Sequence, residues 1–163
     1  MQKYFKISLA IFCALAASRF IPHPPNFTSL IALSFYIPLI FGIKFLPILV
    51  LSFIITDYFI GFHHVTLFTW GSVFLIGLIS NYFSNNITKR LIGVLGGVFI
   101  FYFITNFGVW SLGSYGYSFV GLINCYILAI PFLGNSIVST FLFSGLIEIF
   151  INKKEILKKI ISN

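Results

Sequence analysis

Charged side chains are scarce in this sequence of 163 residues. Only 8% of the residues are charged, and three Asp and Glu stand against ten Lys and Arg. Hydrophobic residues make up 59% and aromatic residues 20%, and the mean hydropathy is +1.05. A water-soluble domain needs a polar surface that this composition does not supply. The composition therefore excludes a soluble globular domain and predicts an integral membrane protein.

Cysteine is equally scarce, and common catalytic motifs are absent. Cys13 and Cys125 both lie within apolar runs, as is typical of small buried residues. The sequence contains no Gly-x-Ser-x-Gly, no His-Glu-x-x-His and no phosphate-binding loop, and its three acids are too few for paired carboxylate chemistry. We therefore predict that the protein is not an enzyme and uses no cofactor.

Apolar segments divide the chain into six predicted spans. A helix that crosses the ~30 Å hydrocarbon core needs about 20 residues. The segments are 4–20, 28–43, 45–61, 65–83, 89–107 and 133–151. The second is short and contains Pro38, so we expect it to pack inside the bundle, where neighbouring helices satisfy freed backbone groups. The stretch 118–131 is too short to span and predicts a partial or surface-lying helix.

The distribution of basic residues predicts an orientation. They are scattered through short connections and one C-terminal run, so the net charge of +7 does not indicate nucleic-acid binding. With the N-terminus inside, the outer side receives only Arg19, as the positive-inside rule expects. The inner side receives Lys3, Lys6, Lys44, Lys89, Arg90, Lys153, Lys154, Lys158 and Lys159. We predict an all-α, polytopic six-helix transmembrane bundle over 1–152 and a basic cytoplasmic tail over 153–163.

The N-terminal segment has a second interpretation. Lys3 and Lys6, an apolar centre and the small residues 14–17 resemble a signal peptide. We favour an uncleaved first helix, because the topology needs this span.

The connection between the first two spans carries unusual polar side chains. Pro22, Pro24 and Pro25 disfavour helix, so the first helix should end near Phe20 and the segment after it should be extended. Asn26 or Thr28 could cap the next helix. Arg19, His23 and Asn26 lie in this connection, and the predicted topology places them on the outer side.

The end of the third predicted span, and the connection after it, add further candidate site residues. Asp57 precedes Gly61 and His64 by four and seven residues, so the three share a helical face. An intramembrane carboxylate is costly unless it is paired, and Arg19 is its natural partner. Either a structural ion pair or a ligand site would explain the two residues.

The remaining polar groups allow two interpretations each. His23, His63, His64 and Asp57 could form a metal site, although no His-x-x-x-His pair exists, and interfacial histidines are the simpler explanation. Asn106 and Trp110 could belong to a ligand pocket or to an aromatic belt at the headgroups. Glu148 is predicted to pair with a C-terminal lysine or to lie at the inner interface.

Small residues recur at intervals of four on three helices. They are Ala10, Ala14 and Ser18, then Gly93 and Gly97, and then Ser136, Thr140 and Ser144. This spacing lets helices approach closely, either within the bundle or against another membrane subunit.

Four blocks of the sequence resemble a known family. They are Arg19-x-x-Pro-His-Pro-Pro-Asn-Phe27, Asp57-x-x-x-Gly-Phe-His63, Thr105-Asn-Phe-Gly-Val-Trp110 and Gly121-Leu-x-x-Cys-Tyr-x-x-Ala-Ile-Pro-Phe132. They are similar to an uncharacterised family of small bacterial membrane proteins that is grouped with the substrate-binding S components of energy-coupling-factor (ECF) transporters. The resemblance implies a six-helix protein of the inner membrane, with cytoplasmic termini, that captures a small nutrient from outside. It also implies that Ala10 and Ala14 dock to a transmembrane coupling subunit, which works with ATPases.

The functional prediction is a capture subunit for a small molecule such as a vitamin. Its predicted binding residues are Arg19, His23, Asn26, Asp57, His63, Asn106 and Trp110. Two alternatives stay open, a non-transporting structural or assembly protein and a metal-dependent membrane protein. The expected partners are the small ligand, the lipid bilayer and the coupling module.

Overall fold

The computed structural model describes residues 2–83 and 86–161, except for the side chains of 153–161. Every regular element in these ranges is helical, which confirms the all-α prediction. Seven α-helices occur there: α1 Gln2–Phe20, α2 Leu30–Phe41, α3 Leu46–Ile60, α4 Thr66–Ile79, α5 Ile87–Ser111, α6 Phe119–Leu128 and α7 Ile130–Ile161. Short 3-10 helices at Ile43–Phe45 and Ser80–Phe83 precede α3 and follow α4.

Within the described ranges, four helical segments are long and apolar enough to cross a membrane. They are Ile43–Ile60, Thr66–Phe83, Ile87–Ser111 and Ile130–Asn152. The predicted spans at α1 and α2 are not among them. α1 carries three basic residues, and the 12 residues of α2 rise only about 18 Å. α6 is a short apolar helix of 10 residues, as the length of its segment predicts.

α2 occupies the centre of the bundle. It packs against α1, α3, α4, α5 and α7, and its residues from Leu30 to Pro38 are all buried. Phe35 and Tyr36 are fully buried, and their rings meet edge to face at 5.3 Å. Burial of nearly the whole helix explains why such a short element is stable here, and it confirms that the Pro38 segment packs inside.

The stripes of small residues differ in whether they face the inside of the bundle or its surface. A Cβ at Gly93 would lie 2.7 Å from the Phe35 ring, so this position belongs to internal packing. The α7 stripe is also internal, since Thr140 and Ser144 are fully buried. Ala10 and Ala14 are instead exposed on α1. Internal packing therefore does not explain these two alanines, whereas Ser18 of the same stripe bonds to Ser29 at the start of α2.

The proline-rich connection has the predicted start but a different interior. α1 ends at Phe20, as the prolines predict. The backbone then turns, because Phe27 N donates to Pro24 O at 3.0 Å and Asn26 has a φ of 61°. A proline followed by a residue with positive φ is typical of a type II turn. The expectation that Asn26 or Thr28 caps α2 is wrong, since Ser29 occupies the N-cap position.

The predicted cytoplasmic tail falls largely outside the described side chains. Its lysines, Lys153, Lys154, Lys158 and Lys159, belong to that undescribed set, and residues 162–163 lie outside the described ranges altogether. The backbone of α7 continues through this region to Ile161.

Candidate functional site

An ion pair links the ends of α1 and α3. Arg19 Nη2 lies 2.5 Å from Asp57 Oδ1, and the side chains are 12% and 1% exposed. The pairing of these residues, which their sequence positions predicted, is confirmed. An unpaired carboxylate would be costly to bury at this depth. The positive charge of the Arg19 guanidinium offsets that cost.

Further contacts hold both members of the pair. Trp70 Nε1 on α4 donates to Asp57 Oδ2 at 2.6 Å. Arg19 Nη1 donates to Thr56 Oγ1 and, at 3.3 Å, to Phe53 O. The guanidinium carbon also lies 4.5 Å from the centroid of the Phe53 ring. Both carboxylate oxygens of Asp57 are therefore occupied by protein donors, and the network joins α1, α3 and α4.

Two adjoining cavities lie beside this network. Their volumes are about 340 Å³ and 210 Å³, and the larger is within the range of small-molecule sites. Five residues line both cavities, which makes the two cavities direct neighbours: Asn26, His63, Thr69, Phe101 and Ser136. We call the two together the outer cavity, after the side of the membrane on which the sequence predicts them. The connections after α1 and α3, together with α4, α5 and α7, supply the shared wall.

The outer cavity brings together most of the predicted site residues. Arg19 and His23 line its smaller part, and Asn106 lines its larger part. Asn26 and His63 line both.

Two predicted site residues lie elsewhere. Asp57 does not line the cavity but sits behind Arg19, because its carboxylate is enclosed by Arg19 and Trp70. Trp110 does not line it either. Its indole Nε1 donates to Ser118 O at 3.2 Å and its ring packs on Phe107, so it fastens the α5–α6 connection.

The imidazole of His63 is only partly solvated. Desolvation lowers the pKa of His63, the charge of Asp57 opposes this, and His64 and Arg19 add to the lowering. Because an ordinary histidine has a pKa near 6.5, a lowered value leaves His63 neutral at pH 7. A neutral imidazole offers the cavity one donor and one acceptor.

Helix α6 closes one side of the larger cavity by bonding to α5. Tyr102 Oη donates to Tyr126 O at 2.5 Å, and Tyr126 Oη donates to Phe103 O at 2.8 Å. The Cys125 thiol donates to Asn106 O at 3.3 Å. The two phenol rings meet at 5.6 Å. These contacts fix the wall that contains Tyr102, Asn106 and Cys125.

The proline-rich turn is fastened to α7. Asn135 Nδ2 donates to Pro25 O at 3.0 Å, and Ser139 Oγ donates to Asn26 O at 3.4 Å. These bonds keep the Asn26 side of the turn against the cavity, next to Ser136.

Sequence reasoning missed several lining residues. Thr69, Phe101, Tyr102 and Ser136 lie inside apolar helices, where their sequence neighbours reveal no site. Thr69 and Ser136 are 7% and 3% exposed. A buried hydroxyl residue within a span is the available signal, but the same residue type often bonds only to its own helix.

The histidines do not assemble a metal centre within the described part of the chain. No group of three His, Cys, Asp or Glu there is placed to hold a metal ion. His23 Nδ1 instead donates to Pro24 O at 2.8 Å, and His64 lines neither part of the cavity.

A second buried ion pair lies toward the other end of the bundle. Arg90 donates to Glu148 through Nε at 2.6 Å and through Nη2 at 2.7 Å, and Tyr36 Oη donates to Glu148 Oε1 at 2.7 Å. The prediction that Glu148 lies at the inner interface is wrong, because its side chain is buried in the bundle. The alternative, a pair with a C-terminal lysine, lies outside the described side chains. Glu148 is 3% exposed and bonds to α2 and α5, because α7 packs against both helices.

Comparison with known proteins yields one family match. A family model described as "Family of unknown function (DUF6580)" matches residues 1–155. No curated protein and no solved structure matches the chain.

Proposed function

Because this chain belongs to DUF6580, a family of unknown function, we propose a function from its own site: it captures a small molecule in the outer cavity. The observation that carries the proposal is a pair of neighbouring cavities whose shared wall is built by residues from two connections and three helices. Lining by many elements is a feature of ligand pockets, which usually lie between helices in bundles.

The charges around the outer cavity favour an uncharged ligand. Arg19 is the arginine that lines it, and Asp57 already compensates the charge of that side chain. His63 is neutral, and no acidic side chain lines either part among the described residues. An anion would have to compete with Asp57 for the guanidinium. We therefore assign the ligand to uncharged molecules that form hydrogen bonds.

The rest of the lining favours a ligand with a flat apolar part. Phe101, Tyr102 and Tyr115 offer ring surfaces, whereas Asn26 and Asn106 offer amides. Aromatic surfaces with a few placed polar groups are typical of pockets that orient such molecules.

The proposed setting is a bacterial inner membrane with both termini in the cytoplasm. Lys3, Lys6, Lys44 and Lys89 would then lie inside, and the outer cavity would face outward. In this proposal the protein acts without catalysis as an S-component-like capture subunit with six membrane helices. The exposed Ala10 and Ala14 support docking of α1 to a coupling subunit that works with ATPases.

A capture experiment tests the cavity directly. The full chain is purified gently and analysed by native mass spectrometry for a bound small molecule, and thermal shifts are measured with water-soluble vitamins, nucleobases and amino acids. Ser136 lines both parts of the cavity, so the larger side chain of Ser136→Leu should occupy space that the ligand needs. This variant should therefore abolish the adduct and the thermal shift. Val138→Leu, on the exposed side of α7, is the matched control and should keep both.

Two results would contradict the capture function. The first is a wild-type protein that shows neither an adduct nor a thermal shift across the whole panel. The second is a ligand whose binding is equal in Ser136→Leu and Val138→Leu.

A structural or assembly role is the second candidate, and the two buried ion pairs favour it. They tie α1 to α3, and α5 to α7, without needing a ligand. This role predicts that Arg19→Ala lowers the thermal stability of a protein that binds nothing in the panel.

A further inference from the structure

A third cavity, of about 280 Å³, lies near the start of α1, away from Arg19. Tyr4 and Arg19 are separated by 15 residues of one helix, which corresponds to about 22 Å. Lys3 and Tyr4 from α1 line one side of the cavity, and Ile40, Lys44 and Phe45 line the other. We call this space the lysine cavity.

The ammonium group of Lys44 contacts aromatic side chains in the lysine cavity and no carboxylate among the described residues. Lys44 Nζ donates to Tyr4 Oη at 2.7 Å and lies 4.7 Å from the centroid of that ring. It also lies 5.8 Å from the centroid of Phe45, whose ring stacks on Tyr4 at 5.6 Å. Neutral aromatic groups therefore position the charge without neutralising it.

Two positive charges face the same cavity. The two ion pairs among the described side chains use Asp57 and Glu148, and neither acid lines the lysine cavity. Among the described side chains, Lys3 and Lys44 thus present positive charge that no carboxylate compensates, which favours an anion with several acceptor oxygens.

The surroundings of the cavity are apolar and exposed. Ile40, which lines the cavity, is 38% exposed, and Phe5 and Ile43, the chain neighbours of Tyr4 and Lys44, are 68% and 44% exposed. A free inorganic anion gains nothing from such a surface, whereas a lipid can place its phosphate at the lysines and its acyl chain along these residues. Lys44 lies at the start of the candidate span Ile43–Ile60, which is where headgroups of one leaflet would lie.

We propose that the lysine cavity binds the phosphate headgroup of an anionic phospholipid. Lys44 and Lys3 contact the phosphate, Tyr4 donates its hydroxyl, and an acyl chain lies along Ile40 and Ile43. This site is separate from the outer cavity and does not depend on the function proposed for that cavity.

Lipid retention measured on the full chain tests the proposal. Delipidated protein in detergent is titrated with phosphatidylglycerol or phosphatidylcholine, and bound lipid is counted by native mass spectrometry. We expect tighter retention of phosphatidylglycerol. Lys44→Gln should weaken it about fivefold, the effect of losing one lysine at an anionic surface. Lys3→Gln should weaken it in the same direction.

Lys89→Gln is the matched control, because Lys89 is an exposed lysine outside the cavity. It should leave retention unchanged. Equal retention of both lipids, or equal losses in Lys44→Gln and Lys89→Gln, would overturn the proposal. A parallel titration with inorganic phosphate separates the two sources of phosphate. Thermal protection of wild type by phosphate alone, lost in Lys44→Gln, would assign the site to a free anion instead.

Discussion

The structure gives Asp57 a different role from the one that its sequence position suggests. By sequence it is an ionisable residue at the end of a membrane helix, and such residues are candidates for ligand binding. In the structure, Arg19 takes one oxygen and Trp70 takes the other. The carboxylate therefore positions the guanidinium at the wall of the outer cavity, and it is buried away from that cavity itself.

Replacing Asp57 with Asn tests this positioning role. Asn keeps an acceptor for Trp70 but removes the charge opposite Arg19, whose side chain is only 12% exposed. Breaking one side of a buried pair typically costs about 3–5 kcal/mol. We therefore expect a clearly lower midpoint of thermal unfolding in detergent.

A double variant provides the control for this prediction. Arg19→Met with Asp57→Asn removes both charges, so it should recover part of the lost stability. A midpoint of Asp57→Asn equal to that of wild type would show that the pair does not stabilise the fold.

At the scale of elements, the α5–α6 pair depends on a close approach of two backbones. The chain turns after α5 and places Tyr115 O beside the first turn of α6. A Cβ at Gly121 would lie 2.2 Å from Tyr115 O and 2.7 Å from Gly116 O. Glycine is thus required because the obstacle is backbone, which cannot move aside by changing a rotamer.

Gly121→Ala should separate α6 from this turn. We expect a destabilisation of about 1–3 kcal/mol, the usual cost of overpacking, measured by thermal unfolding. Tyr115 lines the outer cavity, so ligand binding should weaken as well.

Gly134→Ala on α7 is the matched control for that change. No atom lies within 4 Å of the added Cβ, so alanine should stabilise the helix by about 0.5–1 kcal/mol. Equal stability of the two variants would contradict the close approach at Gly121.

At the scale of the whole molecule, two buried ion pairs fasten opposite parts of the bundle. The Arg19 pair joins α1 and α3, whereas Glu148 joins α7 to α5 and, through Tyr36, to the central α2. Because α2 is buried almost throughout, its single phenol hydroxyl connects the core to the charged cluster. The outer cavity lies among helices that these bonds hold in register.

Removing the Tyr36 hydroxyl tests this connection. Tyr36→Phe keeps the buried ring and deletes one hydrogen bond to a charged group, which is worth about 1.5–3 kcal/mol. The thermal midpoint should fall accordingly. Tyr58→Phe is the control, since Tyr58 is 70% exposed and should change stability by less than about 0.5 kcal/mol. Equal midpoints for the two variants would argue against a structural role for the hydroxyl.

The sequence by itself determined the helical class, the end of α1 at the prolines, the internal place of α2 and the pairing of Arg19 with Asp57. These features follow from local backbone restrictions, from apolar length and from the scarcity of acids, so one chain segment or one charge count is enough to predict them.

Only the tertiary structure decided which side chains share the outer cavity, that Glu148 meets Arg90, and that Lys44 faces Tyr4. Residues such as Thr69 and Ser136 are separated by 67 positions and lie in uniformly apolar helices. When a helix is apolar all round, its sequence does not reveal which face turns inward, because lipid and protein neighbours favour the same side chains. The rotation of each helix, and with it the composition of the cavity, is set by packing against the other helices.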